Sequence, residues 1–315
     1  MAPPLPSLYT LSFLIATLAT LLVIATLRLL AILPNAAHSK KQPLRKRPIA
    51  TRVLIVLGSG GHTHEMFYLL RHLDTRKYTH RTYVVSSGDA FSAQRARNFE
   101  RELEDAEKKR VRALEKKEEE KEEEEEEVVH VGGEEKPRAP VLQVIDAEGR
   151  IYGFETSAAA TSERPACTGP DHYNIAVLPR ARKIHQPLLT APFTCLYTLL
   201  SAFSPLLSAP PLLPNQPPTT PYEAAAADLP DLIITNGPAT AVIVILASLL
   251  LRFFNVRGAN SRAKCKTIYV ESFARVKTLS LSGKLLVRVV DWFLVQWEEL
   301  EGAGGGRAEY WGMLV

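Results

Sequence analysis

Val53-Leu-Ile-Val-Leu-Gly-Ser-Gly-Gly-His-Thr-His-Glu-Met66 is the stretch that decides the fold. The apolar run from Val53 to Leu57 predicts a strand that is buried on both faces of a parallel sheet. The glycines that follow allow positive φ angles and close approach of the backbone. The amides from His62 onward then lie at the positive end of a helix that continues from Glu65 to Leu70. The stretch predicts a doubly wound α/β fold whose first loop holds an anion such as a diphosphate.

The glycine loop, Gly58 to Thr63, departs from the dinucleotide-binding fingerprint. That fingerprint requires glycine where this chain has Thr63, and it requires an acidic ribose ligand about 20 residues further on, which is missing here. A nicotinamide-dependent enzyme is therefore disfavoured. The loop remains either an anion site or a structural turn that packs the helix on its strand. His62 is likewise open as a phosphate donor, a general base or an ordinary loop histidine.

Composition limits the class of protein. The chain has 315 residues, of which 46% are apolar and 23% charged, as in globular proteins, and its low-complexity stretches leave room for one domain. The net charge of +4 is dispersed, so nucleic acid is not an expected partner. Cys167, Cys195 and Cys265 have neither metal-ligand spacing nor the density of a disulfide framework, and reduced thiols are expected. We expect no metal and no cofactor.

The N-terminal region reads as a membrane anchor. Residues 8–27 are uncharged and mostly apolar, which is long enough to cross about 30 Å of hydrocarbon as a helix. Basic residues without any acidic one follow it, at Arg28, Lys40, Lys41, Arg45, Lys46, Arg47 and Arg52. The positive-inside rule then predicts a lumenal tail at 1–7, an anchor at 8–33, a basic cytosolic linker at 34–51 and a cytosolic domain at 52–315. A cleaved signal peptide is the alternative, although the basic n-region is missing.

Further strand patterns end in polar residues. Predicted strands at 82–85, 231–235 and 267–270 run into Ser86-Ser-Gly-Asp89, Asn236-Gly237 and Glu271-Ser272. Because the carboxyl ends of parallel strands line the ligand crevice of open α/β sheets, these residues are expected to meet at one sheet edge. A helix from Ala239 to Phe254 and strands near 171–178 and 292–297 complete the pattern.

Two low-complexity insertions are predicted, near 99–170 and near 204–228. The first is dense in glutamate and is expected to be part helix and part disordered, while residues 210–227 read as a flexible loop. A helix is expected from about Thr194 to Phe203, either on the bilayer or on the core. The basic cluster Arg180 to Lys183 suits an anionic surface, and Gly302 to Gly306 reads as a linker before an apolar tail.

Several motifs together resemble the asparagine-linked glycosylation protein 14 family. They are Leu57-Gly-Ser-Gly-Gly-His-Thr-His-Glu-Met66, Asp231-Leu-Ile-Ile-Thr-Asn-Gly-Pro238, Ile268-Tyr-Val-Glu-Ser-Phe-Ala-Arg-Val-Lys-Thr-Leu-Ser-Leu-Ser-Gly-Lys284 and the tail from Val295-Gln-Trp297 to Val315. The likeness covers roughly residues 51–95, 171–200 and 228–315. Two departures concern the tail, since Glu298 replaces the family's proline after Trp297 and a glycine run at 302–306 replaces a more ordered connection.

The resemblance implies half of an enzyme. It implies a Rossmann-like, acceptor-side domain of a GT-B glycosyltransferase, anchored by one helix in the endoplasmic reticulum membrane, with the nuclear envelope as a second location. A separate soluble subunit would bind UDP-GlcNAc, and the heterodimer would add the second GlcNAc to dolichyl-diphosphate-GlcNAc on the cytosolic face. The tail, at Tyr310, Trp311, Gly312, Met313, Leu314 and Val315, would dock on that partner.

The site expected from the resemblance is built on the glycine loop. Gly58, Ser59, Gly60, Gly61, His62 and Thr63 would bind the acceptor diphosphate, with His62 as a further donor or as the base. Among the loop residues His62 and Glu65 are suited to act as a base. Asn236, Gly237, Glu271 and Ser272 would complete the crevice. Two alternatives remain open, namely a pure membrane tether with a structural loop and a self-sufficient glycosyltransferase.

Overall fold

The computed structural model describes residues 6–34, 48–131, 142–145, 151–154, 166–182, 186–187, 189–208, 217–237 and 239–314. The chain divides into two compact units, one of residues Met1–Arg101 with Cys167–Val315 and one of residues Glu102–Ala166. Predicted features at 1–5, in the linker at 35–47, at Lys183, at Pro238 and at Val315 lie outside the described residues.

The first unit is a parallel sheet between helices. Its strands are β1 (Arg52–Val56), β2 (His80–Ser86), β5 (Tyr173–Leu178), β6 (Leu232–Asn236), β7 (Lys266–Val270), β8 (Trp292–Val295) and β9 (Ala308–Tyr310). Its helices are α1 (Pro6–Ile32), α2 (Gly61–Leu69), the start of α3 (Ala90–Val131), α4 (Ala191–Leu207), α5 (Pro221–Ala227), α6 (Thr240–Phe253) and α7 (Leu281–Leu286). This confirms the predicted Rossmann-like α/β class.

The strand order within the described residues is β5-β2-β1-β6-β7-β8-β9, and every pairing is parallel. All five residues of β1 are buried, as its apolar run predicts. The order reverses direction between β1 and β6, which makes their carboxyl ends the topological switch point, where open α/β sheets bind ligands. Gly58 follows β1 and Gly237 follows β6 at this edge.

Helix α1 is apolar along its length. From Tyr9 to Ile32 it is long and apolar enough to cross a membrane, and its side chains are exposed along the greater part of this range. This is consistent with a single membrane span. Arg52, counted above among the basic linker charges, is instead fully buried at the start of β1, where it donates to Asp228 O at 2.7 Å and to Thr82 Oγ1 at 3.1 Å.

The second unit contains most of α3 and an antiparallel pair, β3 (Leu142–Ile145) and β4 (Ile151–Phe154). The acidic run is helical as far as Val131, since α3 is one helix of 42 residues. The insertion bounds near 99–170 include Phe99, Glu100 and Cys167, which the structure buries within the first unit.

The described parts of two segments expected to lack regular structure contain a helix and a turn. Within the predicted loop at 210–227, α5 begins after Thr220, whose hydroxyl accepts a hydrogen bond from Glu223 N as an N-cap. The predicted linker at 302–306 forms a tight turn in which Gly302, Gly304, Gly305 and Gly306 all have positive φ. A Cβ on Gly304 would lie 2.3 Å from Val287 Cγ2, so this turn requires glycine for space as well.

Buried His80 makes the stability of the fold sensitive to acid. Its Nε2 lies 3.1 Å from Asn174 Oδ1, and burial lowers the pKa of His80 to about 4. The unfolded chain therefore takes up this proton at a higher pH than the folded chain does. The contribution of neutral His80 to stability is present above the pKa of the unfolded chain and is lost as pH falls. We therefore expect the free energy of unfolding to fall by about 2 kcal/mol between pH 7 and pH 5.

Urea unfolding of the full chain in detergent at the two pH values measures this effect, with His80→Gln as the comparison. The variant should lose most of the pH dependence. An equal dependence in both proteins would contradict the assignment to His80.

Candidate functional site

The glycine loop opens directly into α2, which begins at Gly61, so that the amide of His62 lies in its first turn as the sequence predicts. Gly60 has a φ of 64° and precedes the helix, and the first helical hydrogen bond is from Thr63 N to Gly60 O at 3.2 Å. The amides of Gly61 and His62 come before that bond, at the positive end of the helix. These amides follow the turn at Ser59 and Gly60 at the sheet edge, a position in which backbone N–H groups can donate to an anion.

Thr63 faces inward rather than toward the crevice. Its side chain is fully buried, its hydroxyl donates to Gly58 O, and the same hydroxyl lies 2.7 Å from Ser92 Oγ. Ser92 is in turn held by Asp89, whose carboxylate caps the start of α3 through Ser92 N at 3.0 Å. The contacts of Thr63 and Ser92 therefore hold the glycine loop against the start of α3. The sequence signal for these contacts was Asp89, a residue type that favours an N-cap, directly before the helix.

His62 lies between two glycines that make room for its imidazole. A Cβ on Gly58 would lie 2.6 Å from His62 Cβ, and one on Gly237 would lie 3.1 Å from His62 Cγ. Gly237 also has a φ of 97°, which an L side chain rarely adopts. The strand ends of β1 and β6 therefore fix the position of this histidine.

Glu65 joins the loop to the two neighbouring strand ends. Its Oε2 accepts from Asn236 Nδ2 at 2.8 Å and lies 3.5 Å from His62 Nδ1, while its Oε1 accepts from Ser272 Oγ at 3.1 Å. The nearby Glu65 carboxylate raises the pKa of His62 above its ordinary value. Burial alone would raise the pKa of Glu65, but the neighbouring imidazole of His62 and the hydrogen bond from Asn236 lower it. These shifts favour an imidazolium paired with a carboxylate.

Asn236 keeps a buried acceptor beside Glu65 and His62. It is almost fully buried, and because its Nδ2 is bonded to Glu65, its Oδ1 is left as the acceptor. Within the described residues that oxygen makes no hydrogen bond of normal geometry. A ligand hydroxyl or amide N–H would satisfy it.

Glu271 does not open into the crevice, although its strand ends there. Its side chain is buried and accepts from Ser272 N at 3.1 Å, Ser280 N at 3.1 Å and Ser280 Oγ at 3.0 Å. A Cβ on Gly283 would lie 2.1 Å from Glu271 Oε2, so the close approach of α7 requires glycine. The structure thus brings His62, Asn236, Gly237 and Ser272 together with Glu65, and uses Glu271 to hold the following loop.

The C-terminal tail extends the sheet before it becomes exposed. Tyr310 belongs to β9, whose pairing with β8 joins it to Val295. Trp311 and Met313 are 60% and 62% exposed, Gly312 has a φ of 91°, and Leu314 is partly buried. Two large apolar side chains of the predicted partner-binding tail therefore face solvent.

The other surface features lie apart from the loop. Arg180 donates to Ser87 O at 2.9 Å and Arg182 to Gln186 O at 3.3 Å, ahead of α4. A groove of about 850 Å³ lies between β5 and α4 and is lined by Tyr197, Ser201, Ser204 and Ser208 among others. In the part of the chain that the structure describes, no group of three or more His, Cys, Asp or Glu side chains is arranged to hold a metal ion.

Comparisons with known proteins point to one family. A family model described as "Oligosaccharide biosynthesis protein Alg14 like" matches residues 53–119 and 151–314. The chain is 34% identical over 284 residues to the UDP-N-acetylglucosamine transferase subunit alg14 of Aspergillus fumigatus, covering 79% of this chain and 100% of the relative.

Two further relatives carry the same name. The protein from Schizosaccharomyces pombe is 31% identical over 298 residues, covering 95% of this chain and 98% of its own length. The protein from Mus musculus is 28% identical over 286 residues, covering 91% and 90%. Since the likeness extends over most of both chains and includes the glycine loop, this chain belongs to the Alg14-like family of oligosaccharide biosynthesis proteins.

Proposed function

We propose that this chain is the membrane-anchored, acceptor-side subunit of a heteromeric UDP-N-acetylglucosamine transferase. A soluble donor-binding subunit would complete the enzyme, and the pair would add the second GlcNAc to dolichyl-diphosphate-GlcNAc on the cytosolic face of the endoplasmic reticulum. The relatives are named as subunits of such a transferase, which supports a further polypeptide. The observation that carries the proposal is the glycine loop at the switch point, with His62 paired to Glu65.

In this proposal the loop binds the diphosphate of the acceptor. The amides of Gly61 and His62 and the imidazolium of His62 would act on the diphosphate as donors. Asn236 Oδ1 would accept from a hydroxyl or amide of the acceptor sugar. The Glu65 carboxylate would hold His62 in its charged form and keep Asn236 oriented.

Two features support placement at a bilayer. Helix α1 meets the length and composition of a membrane span, and its last residues pack on the domain, as expected for a retained anchor rather than a cleaved peptide. Helix α4 packs Thr198, Ala202 and Leu206 inward, while Phe193, Leu196, Tyr197 and Leu200 remain exposed on its other face. An apolar face of this kind suits the headgroup boundary of a membrane.

The exposed tail supports a protein partner. Trp311 and Met313 are large apolar side chains at the end of the sheet, and aromatic and Met residues are enriched at protein interfaces. The partner-binding tail would therefore run from Tyr310 to Val315. Co-purification with the soluble partner tests this assignment. The full chain should capture the partner, and a chain that lacks Met313 to Val315 should not.

The catalytic proposal is tested by His62→Ala in the complex supplied with UDP-GlcNAc and dolichyl-diphosphate-GlcNAc. We expect the variant to lower kcat/KM on the order of a hundredfold without loss of partner binding. His64→Ala, an exposed neighbour on the same helix, is the matched control and should keep wild-type activity. Full activity of His62→Ala would leave the pure tether as the better reading, and transfer by the isolated chain would favour a self-sufficient enzyme.

The pH profile distinguishes a donor from a base at His62. A cationic donor loses activity as pH rises through the raised pKa of His62, whereas a base gains activity over the same range. Because Glu65 is the main cause of the raised pKa, Glu65→Gln should move the falling limb to lower pH. A limb that rises with pH would assign His62 as the base.

A further inference from the structure

The C-terminal part of α1 is joined to the last turn of α6 by hydrogen bonds from one arginine of each helix. Arg28 Nε donates to Phe253 O at 3.1 Å, and Arg28 Nη2 donates to Arg252 O at 3.3 Å. Carbonyls at a helix C-terminus lack intrahelical partners, and the helix dipole favours a cation there. In return Arg252 Nη2 donates to Ile32 O, the last residue of α1, at 2.9 Å. Each helix therefore caps the other.

Arg252 is itself fixed by the core of the domain. Its Nη1 lies 3.0 Å from Asp291 Oδ2, and both side chains are buried. The same carboxylate accepts from Lys266 Nζ and Thr267 N, each at 3.0 Å, so it is held to β7. Ile32 is buried against the domain, and Arg307 donates to Pro34 O just beyond it. The end of the anchor is thus attached to buried side chains rather than to exposed ones.

Helix α6 connects this attachment to the candidate site. Its 14 residues span about 21 Å. Its first residue, Thr240, follows the Asn236–Gly237 turn closely, and Thr240 Oγ1 lies 3.1 Å from Ser86 Oγ at the end of β2. If residues 8–27 cross the hydrocarbon, Arg28 lies at headgroup level and the C-terminus of α6 lies there with it.

We propose that Arg28, Ile32, Arg252 and Asp291 form a rigid joint, here called the anchor joint, that fixes the height and tilt of the glycine loop above the bilayer. Arg28 is then a positioning residue for a lipid acceptor whose diphosphate is confined to the headgroup region. The inference rests on the proposed function, because it assumes that α1 spans the membrane and that the loop binds a membrane lipid.

The test compares two acceptors in the complete complex, reconstituted in phosphatidylcholine liposomes. One acceptor is a long-chain polyprenyl-diphosphate-GlcNAc embedded in the bilayer, and the other is a short-chain, water-soluble analogue. Arg28→Leu should lower transfer to the embedded acceptor by about tenfold and leave transfer to the soluble analogue within about twofold of wild type, because misplacement affects only the confined substrate.

Two controls separate the joint from other causes. Arg288→Leu removes an exposed arginine elsewhere and should change neither rate. Insertion of Gly-Ser-Gly between Lys40 and Lys41 lengthens the connection from α1 to β1 and should also change neither rate, because the joint and not the connection sets the position. A loss for this insertion equal to that of Arg28→Leu would overturn the proposal, as would an equal loss on both acceptors.

A second measurement does not depend on activity. Spin labels on cysteines at Leu30 and Leu285, both exposed, with Cys195→Ser in the background, report the distance between α1 and the domain. The distance distribution should be narrow in the wild type and broad in Arg28→Leu, and a narrow distribution in both would overturn the joint. If the wild-type complex transfers to neither acceptor, the proposed function fails. The spin-label distances still test the anchor joint in that case, because they do not depend on activity.

Discussion

Replacing Glu100 with alanine is expected to lower the free energy of unfolding by about 3–5 kcal/mol, since it leaves a buried arginine without its counter-ion. Glu100 on α3 accepts from Arg81 Nε at 2.6 Å and from Arg81 Nη2 at 2.7 Å, and both side chains are buried. Tyr83 OH donates to the same carboxylate at 2.7 Å. The change therefore removes three hydrogen bonds and leaves the buried guanidinium of Arg81, on β2, without its counter-ion.

Chemical unfolding of the full chain, followed by circular dichroism, measures this loss. Glu104→Ala is the matched control, because Glu104 pairs with Lys108 at 2.6 Å on the exposed face of the same helix, and its unfolding midpoint should match wild type. Equal midpoints for the two alanine variants would contradict the structural role of Glu100. Since α3 also carries Ser92 under the glycine loop, Glu100→Ala should disturb the loop as well.

Under the proposed function, replacing Gly58 with alanine is expected to lower transfer activity of the complex on the order of a hundredfold or more, because it misplaces the loop and His62. The new Cβ would lie 2.6 Å from His62 Cβ and 3.3 Å from Asn236 O. The first atom is attached to the backbone of α2 and the second is backbone at the end of β6, so relief of the contact requires a shift of one of these elements. His62 and the loop amides would then no longer hold their positions relative to Asn236 at the end of β6.

Activity with UDP-GlcNAc and the lipid-linked acceptor measures this effect, and partner capture and the unfolding midpoint are recorded alongside it. Gly61→Ala serves as the control for folding only, since a Cβ on Gly61 meets open space and should leave the midpoint unchanged. Wild-type activity in Gly58→Ala would show that the close packing of His62 is not required for the reaction.

The predicted elements that hold in the structure depend on local patterns. A run of five apolar residues is buried wherever it lies in a parallel sheet, so β1 could be read directly. A long uncharged helix likewise predicts a span from its own length and composition. The α5 helix was missed because its N-cap at Thr220 lies within a proline-rich stretch that reads as loop.

The candidate site could be predicted only in part. Strand ends placed Asn236 and Ser272 near the loop, because parallel strands share one carboxyl edge. The same rule placed Glu271 there, but its side chain turns inward to bond Ser280, and no local pattern shows which way a side chain at a strand end points. Thr63 was predicted to bind the diphosphate and instead faces inward for the same reason, since its contact with Ser92 depends on how α3 packs.

The sequence by itself determined the fold class, the long apolar N-terminal helix and the glycine loop, because each depends on residue type and spacing within a short stretch. The tertiary structure alone decided that Glu65 meets Asn236 and Ser272, which lie 171 and 207 residues away. It also decided that Arg28 meets Arg252, across 224 residues. Such contacts follow from the order and register of the strands, which place distant side chains at one edge, and this information is not contained in any single segment of the chain.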